Sequence, residues 1–176
     1  MTYGIERIQI QDNSDFLHER LIRSAQYYEQ VDSIYREILQ LHEGSIFTNV
    51  SKDDIKGRYD AVEGIDIILT LLDGSRLTLQ EKLLFQRYYT ATFETKKHSG
   101  KLGAWYNCTS QLYFCAEIEN EIIVAYVLLD LLQVKLLSCQ NKINWKYNKG
   151  GQRSGEEFKY VKFIDIPKDC IIARKI

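Results

Sequence analysis

The stretch Gly64-Ile65-Asp66-Ile67-Ile68-Leu69-Thr70-Leu71-Leu72, a break at Asp73-Gly74, and then Arg76-Leu77-Thr78-Leu79-Gln80-Glu81-Lys82-Leu83-Leu84 decides how this chain is read. Two apolar runs separated by an Asp-Gly turn signal predict a β-hairpin. Because side chains alternate along a strand, Thr78, Gln80 and Lys82 share one face and Leu77, Leu79 and Leu83 the other. Asp66 sits among Ile65, Ile67, Ile68 and Leu69, where an unpaired charge is costly to bury, so it calls for a partner or a cation. An acid, an amide oxygen and an ammonium converging on one polar spot suit metal-dependent phosphodiester chemistry.

Upstream, apolar residues at Leu17, Leu21, Tyr28, Val31, Tyr35 and Ile38 recur at helical spacing, predicting a helix from Asp15 to about His42 capped by Ser14 or Asp15, or two helices broken near Gln26. Residues 43–63 lack periodicity and read as a loop. Downstream, the second hairpin arm continues through Phe85, Tyr88, Tyr89 and Phe93 as one bent strand or two in series. A basic loop at 96–103 follows, then a short helical segment from Trp105, a strand at 112–117, a turn at Glu119-Asn120 and a strand at 122–128. Asp130 is placed to cap a helix over 131–138. A basic loop at 142–153 and a last strand at 158–166 lead to Pro167, the one proline.

With 176 residues, 45% hydrophobic and 27% charged, the chain suits one globular domain over residues 1–176 with a substantial core. It contains no apolar run of the roughly 18 to 20 residues that span a bilayer, and its start does not read as a signal peptide, so a cytoplasmic, intracellular protein without membrane contact is expected. Cys108, Cys115, Cys139 and Cys170 show no paired spacing and read as buried thiols rather than a zinc site. The formal net charge is −1, but it is unevenly spread: residues 1–81 hold 8 Lys and Arg against 15 Asp and Glu, and residues 82–176 hold 15 against 9. An acidic half suited to a cation thus precedes a basic half suited to phosphates, unless both are simply solvated surface. Trp105, Tyr106, Trp145 and Tyr147 are interleaved with Lys101, Lys142, Lys146 and Lys149, a pattern that serves stacking on bases and neutralising phosphates, or alternatively a core with a solvated rim. Arg87, Lys96 and Lys97 join Lys101, Lys146 and Lys149 as candidate nucleic-acid contacts.

The order of helix, Asp-bearing strand, Gln-x-Lys strand, then helix and further strand resembles the PD-(D/E)xK superfamily of restriction-endonuclease-like and junction-resolvase-like nucleases. Most of the likeness lies between Tyr59-Asp60 and Lys82. It implies an α/β (α+β) fold with a restriction-endonuclease-like mixed central β-sheet flanked by helices. It also implies a metal-dependent endonuclease acting on DNA with Mg²⁺ or Mn²⁺ as cofactor. Carried over residue by residue, Asp66 and Gln80 would hold the metal and Lys82 would orient or activate the attacking water. The sequence departs from the pattern in two places: Ile65 stands where the family has proline, and Gln80 stands where it has an acid. A neutral amide offers an oxygen but no charge, so a further carboxylate is required. The family's first-helix acid maps to Glu29 or Asp32, with Glu19 behind them, and Asp60 and Glu63 precede the strand closely enough to contribute. Nucleases of this kind often dimerise to cut two strands, which makes a homodimer an option. The competing readings are a catalytically inactive nuclease-like domain that binds nucleic acid or a protein partner, and an unrelated α+β domain whose hairpin is only structural.

Overall fold

The computed structural model describes residues 27–49, 64–149 and 155–176; the expected cap at Ser14 or Asp15, and the candidate acids Glu19, Asp60 and Glu63, lie outside them. The elements run α1 (Tyr28–Ile38), β1 (Ile46–Asn49), β2 (Ile67–Thr70), β3 (Arg76–Leu84), β4 (Thr90–Lys96), α2 (Ala104–Asn107), β5 (Leu112–Glu119), β6 (Ile122–Asp130), α3 (Leu131–Cys139), β7 (Lys146–Lys149), β8 (Glu157–Lys162), two 3₁₀ turns (Phe163–Asp165 and Lys168–Cys170) and β9 (Ile171–Lys175). Among the described residues, one sheet has the order β1-β2-β3-β5-β6-β9 and a second the order β4-β8-β7. The β3–β5 pair is parallel and every other pairing antiparallel, which makes the main sheet mixed and the fold α+β, as expected.

The hairpin forms as expected but with a shorter first arm. β2 pairs β3 from Ile67↔Leu79 to Thr70↔Arg76, and the turn closes with the Leu71 N–H donating to Ser75 O and the Gly74 N–H to Leu71 O. Gly74 takes φ +79°, the left-handed conformation that a residue without Cβ adopts cheaply. The second arm ends at Leu84 and resumes as β4, the two strands in series, with β4 leaving for the other sheet. Asp130 caps α3 by accepting the Gln133 N–H at 2.9 Å. Three strands went unforeseen. β1 and β7 are four-residue strands inside segments read as loops, and β9 follows Pro167, where the chain had been expected to end its last strand.

The core lies on both faces of the main sheet. On one face α1 lays Val31 and Tyr35, preceded by Tyr27, against Ile67, Leu69, Leu79, Phe114, Ala116 and Leu128. The Tyr35 ring meets Phe114 edge-on at 5.0 Å, a favoured aromatic geometry. On the other face Tyr113, Cys115, Ala125, Val127 and Leu129 meet Ala91, Phe93 and Val161 of the small sheet and Leu131, Val134 and Leu137 of α3. β5 is covered on both sides and reads as a continuous apolar run broken only by Glu117. Leu79 on the α1 face and Gln80 and Lys82 on the small-sheet face confirm the alternation read from the sequence: Gln80 stands opposite Tyr113 and Lys82 opposite Cys115.

Candidate functional site

Asp66 stands one residue before β2 rather than within it. Its N–H donates to Leu79 O at 2.9 Å, and its Oδ2 accepts the backbone N–H of Glu81 at 2.6 Å. The carboxylate therefore sits on the edge of β3 at the residue between Gln80 and Lys82. A charged acceptor on a backbone N–H makes a short, strong hydrogen bond, and this one replaces the strand pairing that stops at Ile67. The segment is pinned from behind: Gly64 O accepts the Ser110 hydroxyl at 2.8 Å and the Cys108 thiol at 3.2 Å. Gly64 adopts φ +61°, and a Cβ there would lie 3.0 Å from that of Cys108, so both backbone and space demand glycine.

The charge of Asp66 acts on both sides of the sheet. On the α1 side, the Tyr35 hydroxyl donates to Glu81 Oε1 at 2.8 Å. Burial first, then Glu81, and after it Asp66 and Asp32 hold this phenol well above the usual tyrosine range. On the opposite side Tyr113, register neighbour of Gln80, is raised chiefly by burial with Asp66 among the lesser causes, and its hydroxyl donates to Thr92 O. Lys82 extends on this second side, its Nζ 5.9 Å from the Phe158 ring centroid. Burial pushes the neighbouring Cys115 thiol up to about 12; Lys82 opposes that shift and Glu117 adds to it, which places both charges close to the thiol.

The helix acids separate cleanly. Asp32 is buried on the sheet-facing stripe of α1 with Val31 and Tyr35, on the Glu81 side of β3. Glu29 is exposed, off that stripe, and is not brought to the site. Asp60 lies outside the described residues. No group of three or more His, Cys, Asp and Glu among the described residues is arranged to hold a metal ion. The Asp66 carboxylate is held on the Glu81 N–H, and the Gln80 amide belongs to the residue just before Glu81 on β3; a carboxylate and an amide oxygen are donor types that a cation such as Mg²⁺ accepts.

Comparison with known proteins adds little to this geometry. No family model matches the chain, and no curated protein matches it. Among solved structures, the restriction endonuclease MspI in complex with its cognate DNA aligns with 76% of this chain and 78% of that chain, at 9% identity and a TM-score of 0.40. A likeness that loose says nothing about residue roles.

The other candidate residues scatter. Arg87 pairs with Glu119 at 3.2 Å and Lys96 with Glu157 at 3.5 Å, both at exposed positions. Lys97 and Lys101 close the 97–101 turn through their backbones, and Lys146 is exposed on β7, where Lys149 ends the strand. Of the two roles the sequence left open for Trp105 and Trp145, the core one holds: they flank the buried Lys159, whose Nζ lies 2.8 and 4.2 Å from their ring centroids. Their core role follows from Phe93, which stacks edge-on against both indoles. Three of the four cysteines are buried as expected, whereas Cys139 at the end of α3 is exposed.

Sequence reasoning missed Glu117. It is 0% exposed, its Oε1 accepts the N–H groups of Tyr88 and Thr90 at 2.9 and 3.3 Å, and its Oε2 has no hydrogen-bond partner among the described residues. The signal was present: it is the one charge inside the apolar run from Leu112 to Ile118.

Proposed function

We propose that this chain is a metal-dependent nuclease of the PD-(D/E)xK kind that hydrolyses phosphodiester bonds in DNA, with Asp66, Gln80 and Lys82 as its site. The observation that carries the reading is the carboxylate of Asp66 seated on the N–H of Glu81, between Gln80 and Lys82 on one strand. A bound Mg²⁺ or Mn²⁺ supplies Lewis acidity at a phosphoryl oxygen and a water of lowered pKa. Asp66 and Gln80 would hold the cation, the first through a carboxylate charge and the second through an amide oxygen, and Lys82 would set an ammonium against the charge that grows on the phosphate. Groups fixed in place before the reaction lower the barrier because they need not reorganise as that charge develops. Tyr35, kept neutral, donates a hydrogen bond from its hydroxyl to Glu81 and holds that side chain on the α1 face, away from the Lys82 side.

Incubation of the full chain with plasmid, branched and single-stranded DNA, with and without Mg²⁺ or Mn²⁺, tests this directly. Metal-dependent cleavage is expected, falling at least about a hundredfold in Asp66→Ala and in Lys82→Ala. Absence of cleavage by the wild type, or equal cleavage by the variants, removes the reading. One residue favours a second reading: Gln80 leaves the site short of a negative charge, as a nuclease-like domain that binds nucleic acid without turnover would be. That reading requires salt-sensitive binding and no cleavage under any metal.

A further inference from the structure

Among the described residues, the core uses only one face of the small sheet. Residues opposed across antiparallel strands share a face, so Ala91, Phe93, Lys159 and Val161 point into the core. The other face carries Thr92, Tyr160 and Lys146 in one row and Glu94 and Phe158 in the next, with Lys162 beyond. Phe158 and Tyr160 are half-buried yet belong to neither core cluster formed by the described residues, while Lys146 and Lys162 are exposed. Glu94 is the one acid of this face among the described residues. The face also starts at the candidate site, because the Lys82 ammonium lies against Phe158 at 5.9 Å.

We infer that this face is a stacking platform for unpaired nucleotides that leads a strand to Lys82. Phe158 and Tyr160 are two residues apart on β8 and so roughly 7 Å apart on one side, a spacing that admits two splayed bases. Each ring offers a π-face that any base accepts, and Lys146 and Lys162 flank the rings where the backbone phosphates would run. Bases inside a duplex are already covered on both faces by their neighbours, so the platform selects single-stranded or locally unpaired nucleic acid. The inference rests on the nuclease reading for its orientation towards Lys82, and it adds the substrate class.

The test is binding of a labelled oligothymidylate, and of a duplex of the same length, to the full chain at low salt in the presence of EDTA. Phe158→Leu and Tyr160→Leu keep apolar bulk and remove the π-face. Each is expected to weaken oligothymidylate binding on the order of tenfold and to leave the duplex within about twofold, whereas Tyr160→Phe binds as wild type. Should either Leu variant melt lower than wild type, the exposed pair Lys146→Glu and Lys162→Glu replaces it, with the same preferential loss on the single strand expected. Unchanged single-strand affinity, or equal loss on strand and duplex, overturns the platform. A wild type that binds oligothymidylate selectively but cleaves nothing with metal removes the nuclease reading and leaves the platform standing; cleavage with unaffected variants does the reverse.

Discussion

Lys82 reaches the Phe158 ring at 5.9 Å from a half-buried position on β3, whereas Lys159, the residue next to Phe158 on β8, lies between the indoles of Trp105 and Trp145 and is 4% exposed. The same side chain meets aromatic rings on the two faces of one small sheet, with opposite consequences. Burial pushes the Lys159 amine down to about 7, although two indole faces favour its charged form. Such a lysine is fixed in place and pins β8 to the tryptophans. Lys82 instead stands on β3 opposite Cys115 with its ammonium against Phe158, at a half-buried position that under the proposed function would meet the phosphate. A basic residue among aromatics is therefore not by itself a nucleic-acid contact: the face of the strand decides.

Exchanging the two roles breaks the comparison most sharply. Trp145→Ala removes a packed indole and its hydrogen bond to Ser138, so the fold is expected to lose about 3 kcal/mol and to melt several degrees lower, with the affinity of the remaining folded protein for nucleic acid little changed. Lys82→Ala is expected to do the opposite, holding the melting temperature within a degree or two and abolishing turnover. Thermal melting and a cleavage assay on both variants check the pair, and a Lys82 variant that unfolds would place that residue in the structural class with Lys159.

A smaller effect sharpens the contrast through pH. A lysine whose folded pKa is about 7, below its ordinary 10.5, leaves the unfolded chain binding more protons between those values, so its contribution to stability rises as pH increases from about 7 towards 10.5. Lys159→Met is expected to raise the melting temperature at pH 7 and below, with the gain shrinking towards pH 10. A variant that melts lower than wild type at pH 6 would show that the indoles stabilise the ammonium more than burial penalises it.

The hairpin, the α3 cap and the face alternation of Gln80 and Lys82 were legible because each follows from local rules: an Asp-Gly turn, an Asp before an apolar helix, a period of two. β1, β7 and β9 were not, since a four- or five-residue strand at a sheet edge is held by its neighbour's backbone rather than by its own pattern. The sequence left the tryptophans open between base stacking and a core role for a related reason. Nothing local distinguishes an indole that receives a base from one that receives Lys159, which approaches from a strand more than ten residues away in sequence. The candidate site was legible as residue types but not as geometry. Spacing cannot show that Asp66 leaves the strand to bond the Glu81 N–H, nor that Glu29 turns outward while Asp32 turns in.

The proposal that Asp66 and Gln80 hold one cation next to Lys82 is tested most directly by adding Mn²⁺ to isotopically labelled protein and following its amide resonances. The ion's paramagnetism should broaden the amides of Gln80 and Glu81 first, the effect should vanish in Asp66→Ala, and Gln80→Glu should require less Mn²⁺ for the same broadening because it restores a charge. Broadening that spares Gln80 and Glu81, or that persists unchanged in Asp66→Ala, would contradict the site.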